Sequence, residues 1–104
     1  IAREVVKAGL AKRAEIQVAY AIGKAQPVSV KVDTYGTGDS AAAEDFVRKF
    51  DFRPAAIERR FVLRTRAHAA AESGFFRPLA VYGQMGREDL AVPWEDTADA
   101  ALLR

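Results

Sequence analysis

The chain has 104 residues, with 16 Lys+Arg against 14 Asp+Glu, one His and no Cys. It can enclose one core at most, and its apolar half is diluted by 21 alanines that each bury a single methyl group. No disulfide framework, thiolate zinc site or cysteine nucleophile is available; a net charge of +2 gives no reason to expect nucleic acid as a partner; and no apolar run approaches the roughly 20 residues that span a bilayer. The expectation is a soluble, cytoplasmic domain without a membrane partner.

The chain opens without Met and already in helical period, as though a helix were entered partway, so a piece of something longer is expected. Residues 1 to 9 set Ile1, Val5 and Val6 on one face before Gly9 supplies a helix stop. From Glu15 to Ile22 the period is two, with Ile16, Val18, Tyr20 and Ile22 on one face of a strand. After Gly23 to Pro27, Val28, Val30, Val32 and Thr34 mark a second strand, and the short connection favours an antiparallel pair. Gly36 to Ser40 reads as a loop. Ala43, Phe46, Val47 and Phe50 then recur at helical spacing over 41 to 50, with Ser40 or Asp39 as N-cap.

Pro54 suits the first turn of a third helix that carries Ile57 and Phe61. Residues 65 to 73 form an Ala-rich helical candidate ending at Gly74. Tyr82 to Arg87 and Pro93-Trp94 read as ordered loop, and Asp96 or Thr97 can cap a last short helix through Leu103. Two strands alone make a marginal sheet, so this segment is expected to borrow strands from elsewhere.

The common catalytic constellations are missing. His68 is the lone imidazole and lies in an Arg-flanked, Ala-rich stretch. Gly36-Thr37-Gly38 lies between strand and helix but lacks the third glycine of a dinucleotide fingerprint and the Gly-Lys-Ser/Thr of a P-loop, so turn formation is its reading. Arg59, Arg60, Arg64 and Arg66 read as a solvated helix face, with a partner or anion surface as the alternative. Glu88-Asp89 and Glu95-Asp96 are neighbour pairs with no convergent third ligand. Tyr20-Ala21-Ile22-Gly23 stands out, because Gly23 lets another group approach the backbone; the pattern leaves Ile22 either as core or as a flat platform for a planar ring.

Ala8 to Gly23 closely resembles the C-terminal part of the S-adenosylmethionine synthetases, also called methionine adenosyltransferases. The resemblance continues in order through Pro27 to Val30, Thr34 to Thr37, Phe50 to Pro54, Tyr82 to Asp89 and Pro93 to Glu95. It departs between Pro54 and Tyr82, where the chain is longer, and in the loop that usually reads Tyr-Gly-His-Phe-Gly-Arg, where Gln84 and Met85 replace His and Phe.

The resemblance implies an α+β, two-layer α/β sandwich, part of a β-α-β-β-α-β repeat of the family's three intertwined domains, with residues 1–104 as an incomplete C-terminal domain. It implies an enzyme that joins L-methionine to ATP by in-line displacement at the ribose C5′ and then cleaves the triphosphate. Magnesium and potassium ions are its expected cofactors, and a homodimer or homotetramer its assembly. Ile22 aligns with the position that packs on adenine from the partner subunit, and Arg13 and Gln17 with the dimer interface near that site. No catalytic residue or metal ligand aligns within this stretch, so the segment alone is expected to be inactive. The alternative is a non-catalytic binding or oligomerisation module on the same scaffold.

Overall fold

A computed structural model describes residues 1–69 and 74–103. The chain divides into two compact units, Ile1–Arg53 with Thr97–Arg104, and Pro54–Asp96.

In the first unit, α1 (Ala2–Lys7) ends as the glycine predicts. Gly9 takes φ +80°, its N–H donates to the Val6 carbonyl and that of Leu10 to the Val5 carbonyl, the paired bonds of a Schellman stop. Strands β1 (Glu15–Ala19) and β2 (Ser29–Asp33) pair antiparallel, with Ile16 opposite Val32 and Val18 opposite Val30. That register puts four branched side chains on one face and Glu15, Gln17, Lys31 and Asp33 on the other. Helix α2 (Ser40–Val47) starts where Asp39 accepts the Ala41 and Ala42 amides at 2.9 and 3.1 Å, so Asp39 rather than Ser40 is the cap. It packs on β2, and Ala43, Phe46 and Val47 join Val5, Ala11 and Val32 in the core. Sheet and helix thus form the two layers of an α+β arrangement. A 3₁₀ segment, Ala98–Leu103, packs against α1 where the last short helix is expected.

The strands are shorter than their alternation predicts. β1 stops at Ala19, and Tyr20 and Ile22 leave the apolar face for a nine-residue loop. The ladder ends where the Val28 N–H donates to the Ala19 carbonyl, and the chain turns where the Lys24 N–H donates to the Ala21 carbonyl. Arg48 closes off part of the β2 edge, its guanidinium donating to the Val30 carbonyl at 3.1 Å while Glu44 holds it from the preceding turn.

The second unit holds α3 (Pro54–Phe61) and α4 (Leu63–Ala69), separated at Val62, which takes φ +53°. The helix expected over 65 to 73 therefore starts two residues earlier, and residues 70 to 73 lie outside the described residues. Leu79 and Val92 are buried, and Trp94 meets Phe61 and Phe75 edge-on at centroid distances of 6.1 and 5.9 Å. The loop 81 to 87 is ordered, as expected. Arg87 donates to the Val81 and Gly83 carbonyls at 2.6 and 3.0 Å, and Trp94 Nε1 donates to the Gln84 carbonyl at 2.7 Å.

Candidate functional site

Two surfaces of the first unit carry the residues singled out from the sequence. The first is the loop after β1. Its base is closed by the Val28 N–H donating to the Ala19 carbonyl at 2.9 Å, and its side is pinned by the Tyr20 hydroxyl donating to the Phe52 carbonyl. Within it, the Lys24 N–H donates to the Ala21 carbonyl at 3.1 Å, and Gly23 takes φ +81°, a conformation that glycine adopts without penalty. Ile22 is therefore the tip of a tight turn, with a relative exposure of 107%. It contributes nothing to the core of this chain, which removes the core reading of the strand pattern. A branched apolar side chain at a rigid tip can lie flat against a planar ring.

The second surface is the polar face of the hairpin and the turn beside it. The Tyr35 hydroxyl donates to Glu15 Oε2 at 2.7 Å, and the Arg13 guanidinium carbon sits 4.6 Å from the Tyr35 ring centroid. The hydrogen bond to the Glu15 carboxylate, reinforced by partial desolvation, holds the Tyr35 phenol above its ordinary pKa of 10.0. Gln17 follows Glu15 by two residues on the same strand face, exposed and opposite Lys31. Arg13 is thus joined to Glu15 through Tyr35, and Gln17 shares the strand face of Glu15, whereas Ile22 lies beyond the other end of β1. Tyr35 and Glu15 escaped sequence reasoning. The one available signal was Asp33 before a Tyr-Gly turn, where the Tyr35 N–H donates to Asp33 Oδ1 at 2.7 Å.

The turn 34 to 38 fixes this surface. Thr37 Oγ1 accepts the Lys12 and Arg13 amides at 3.1 and 3.2 Å and donates to the Thr34 carbonyl at 2.6 Å. Buried Thr34 donates to the Gly38 carbonyl at 2.9 Å and accepts from Ser40 Oγ at 2.8 Å. The Gly-Thr-Gly sequence is therefore spent on the fold.

The remaining candidates are engaged structurally. Asp89 pairs with Arg87, whose guanidinium holds the carboxyl below its ordinary 3.8. Glu95 Oε1 accepts the Gly86 and Arg87 amides. Arg64 meets Glu58 at 2.6 Å, Arg66 donates to the Phe61 carbonyl at 2.9 Å, and His68 is exposed on α4. Among the described residues, no group of three or more His, Cys, Asp or Glu is placed to hold a metal ion.

Fold and surface together define an α+β segment with an exposed apolar tip and a charged, hydrogen-bonded face. Residues 1–96 match the family described as "S-adenosylmethionine synthetase, C-terminal domain". The S-adenosylmethionine synthase of Gloeobacter violaceus is 49% identical over 107 aligned residues, and that of Synechococcus sp. strain JA-3-3Ab is 46% identical; each alignment takes in 100% of this chain. An S-adenosylmethionine synthetase structure from Campylobacter jejuni superposes with a TM-score of 0.82 at 34% identity, over 98% of this chain and 26% of its own. The chain belongs to the S-adenosylmethionine synthetase family. It spans about a quarter of the length of the relatives it matches, 25% and 26% for the two synthases.

Proposed function

We propose that residues 1–104 act as part of the C-terminal domain of an S-adenosylmethionine synthetase, within a longer chain that makes S-adenosylmethionine from ATP and L-methionine and then hydrolyses the triphosphate. The unbroken family match across residues 1–96 carries this reading. The displacement at C5′ requires positioning of two substrates and cationic stabilisation of the leaving triphosphate. This segment's share is positioning. Ile22 packs on adenine from the partner subunit, while Arg13 and Gln17 contribute to the surface of a homodimer or homotetramer.

Magnesium and potassium, the cofactors proposed for the enzyme, are not fitted by the described side chains. Asp89 is held by Arg87, Glu95 by two amides, and neither has convergent carboxylate neighbours. Their ligands are proposed to lie in the rest of the enzyme chain. A cytoplasmic location accords with the lack of Cys in the sequence, and among the described residues no helix is long and apolar enough to cross a membrane.

The decisive variant is Ile22→Ala in the full-length protein. Because Ile22 is wholly exposed, truncating it leaves this unit's packing intact. Loss of apolar contact with adenine then weakens ATP binding by about 1–3 kcal/mol, a rise in the ATP KM of roughly 5- to 150-fold, with thermal stability unchanged. An unaltered KM with normal turnover refutes the adenine role. Failure of the wild-type protein to form S-adenosylmethionine from ATP and methionine refutes the enzymatic reading and leaves a binding or oligomerisation module.

A further inference from the structure

Ile22 presents an apolar face on which any planar ring can lie, so it does not by itself distinguish one base from another. A donor at the ring edge does, because a ring without the matching acceptor leaves that donor unpaired. The loop that carries Ile22 supplies such a donor. Of residues 20 to 28, Lys24 alone is charged. Its amide is fixed, donating to the Ala21 carbonyl at 3.1 Å, and Gly23 between it and Ile22 takes φ +81°, as the third position of a type II turn requires. Two residues apart in this closed turn, the Ile22 and Lys24 Cα atoms lie within about 7.6 Å of each other, so an ammonium on a four-carbon stem reaches the edge of a ring seated on Ile22. The Lys24 side chain is exposed and has no ion-pair partner among the described residues. The other polar side chains of the loop suit the task less: the Tyr20 hydroxyl is committed to the Phe52 carbonyl, and Gln26 lies outside the closed turn.

We propose that Lys24 reads the base, its ammonium donating to a ring nitrogen on the edge of the purine seated on Ile22. Adenine offers N1, N3 and N7 as acceptors there. The bond is charge-assisted and gains strength in a site enclosed between subunits, away from water. This inference rests on the adenine reading of Ile22 given above.

Steady-state kinetics of the full-length protein with ATP and its 1-deaza, 3-deaza and 7-deaza analogues provide the test. Lys24→Met, which keeps an apolar stem and removes the ammonium, is expected to raise the ATP KM about tenfold with thermal stability unchanged, and Lys24→Arg to retain most of the wild-type value. One analogue is expected to show the same rise with the wild-type protein and no further rise with Lys24→Met, which identifies the nitrogen, while the other two keep their dependence on Lys24. An unchanged ATP KM in Lys24→Met overturns the inference. So does a Lys24→Met effect of equal size on all four nucleotides, which makes the lysine a long-range cation for the triphosphate instead. Ile22→Ala separates the two levels. A raised ATP KM in Ile22→Ala with none in Lys24→Met refutes the base contact alone, whereas no rise in Ile22→Ala refutes the adenine reading and the base contact with it.

Discussion

Replacing Gly38 by Ala tests how the turn 34 to 38 holds the predicted interface. A methyl carbon on Gly38 falls 1.9 Å from the Leu10 carbonyl oxygen and 2.8 Å from the Ala11 Cα, both backbone atoms that cannot swing aside. Relief requires the turn to retreat by about 1 Å or more, since real contacts of this kind stay beyond 3.0 Å. The Lys12 and Arg13 amides, 3.1 and 3.2 Å from Thr37 Oγ1, then pass out of hydrogen-bond range. Two such bonds contribute about 1 kcal/mol each, and overpacking adds about 1–3 kcal/mol, so the expected cost is about 3–5 kcal/mol. Gly36 is the internal control. It has φ +69° and open space where a Cβ would project, so Gly36→Ala incurs only the left-handed backbone penalty of about 1–2 kcal/mol. Hydrogen exchange at the Lys12 and Arg13 amides of the full-length protein reads the difference. Gly38→Ala is expected to lower their protection by roughly a hundredfold to a few thousandfold, since each 1.4 kcal/mol is tenfold, and Gly36→Ala by much less. Equal losses in the two variants refute the close-approach argument.

The other predictions concern charge. Arg13→Glu places a carboxylate near Glu15 and removes the cation over Tyr35, so the proposed dimer is expected to dissociate at higher protein concentration in sedimentation; wild-type assembly at low concentration counts against Arg13 at the interface. Tyr35 titrates above 10.0 because it donates to the Glu15 carboxylate. The stability from that bond is complete below pH 10.0 and is lost as pH rises through the elevated Tyr35 value. Glu15→Gln brings the phenol midpoint, followed by ultraviolet absorbance, back down; an unmoved midpoint refutes the assignment. Asp89 has the opposite sign. Its carboxyl is lowered by Arg87, so the contribution of that pair is present above pH 3.8 and fades as pH falls through the lowered value. Arg87→Lys loses the planar fork, and carboxyl carbon shifts are expected to show Asp89 titrating higher.

Legibility in the sequence followed how local each cause was. The stop at Gly9, the cap at Asp39 and the start at Pro54 depend on a few adjacent residues, and each falls where expected. The length of β1 does not. Tyr20 and Ile22 continue the alternation perfectly well, but the ladder ends at the Ala19–Ser29 pair, where the Tyr20 hydroxyl reaches the distant Phe52 carbonyl and the chain turns at Ala21 to Lys24. A break between the third helix and the next is expected after Phe61, but not as tight as a single residue at Val62, because a β-branched residue at φ +53° is what sequence propensity argues against. The Glu95 bonds to the Gly86 and Arg87 amides span nine and eight residues, and Trp94 to Gln84 spans ten. One carboxylate of each neighbour pair there, Asp89 and Glu95, braces the loop in space, through the Arg87 guanidinium and through the Gly86 and Arg87 amides.

The position of Ile22 follows from the same limit on the strand. Had β1 run on, Ile22 would have joined Ile16 and Val18 on the covered face and could touch nothing outside the chain. Gly23 at φ +81° and the Tyr20 anchor on Phe52 instead turn the backbone out after Ala19. An exposed isoleucine on a flexible loop loses its ordering entropy on every contact; one held by a closed turn has already lost it as the chain folds. The same holds for Arg13, whose amide and guanidinium are both fixed before any partner arrives. Residues that add little to folding are thereby kept in one geometry, which suits them to the positioning role proposed above. Loosening the loop while sparing Ile22, as Tyr20→Phe does by removing the hydroxyl bond to Phe52, therefore reproduces part of the Ile22→Ala effect on the ATP KM if pre-ordering matters, and leaves KM unchanged if only the side chain does.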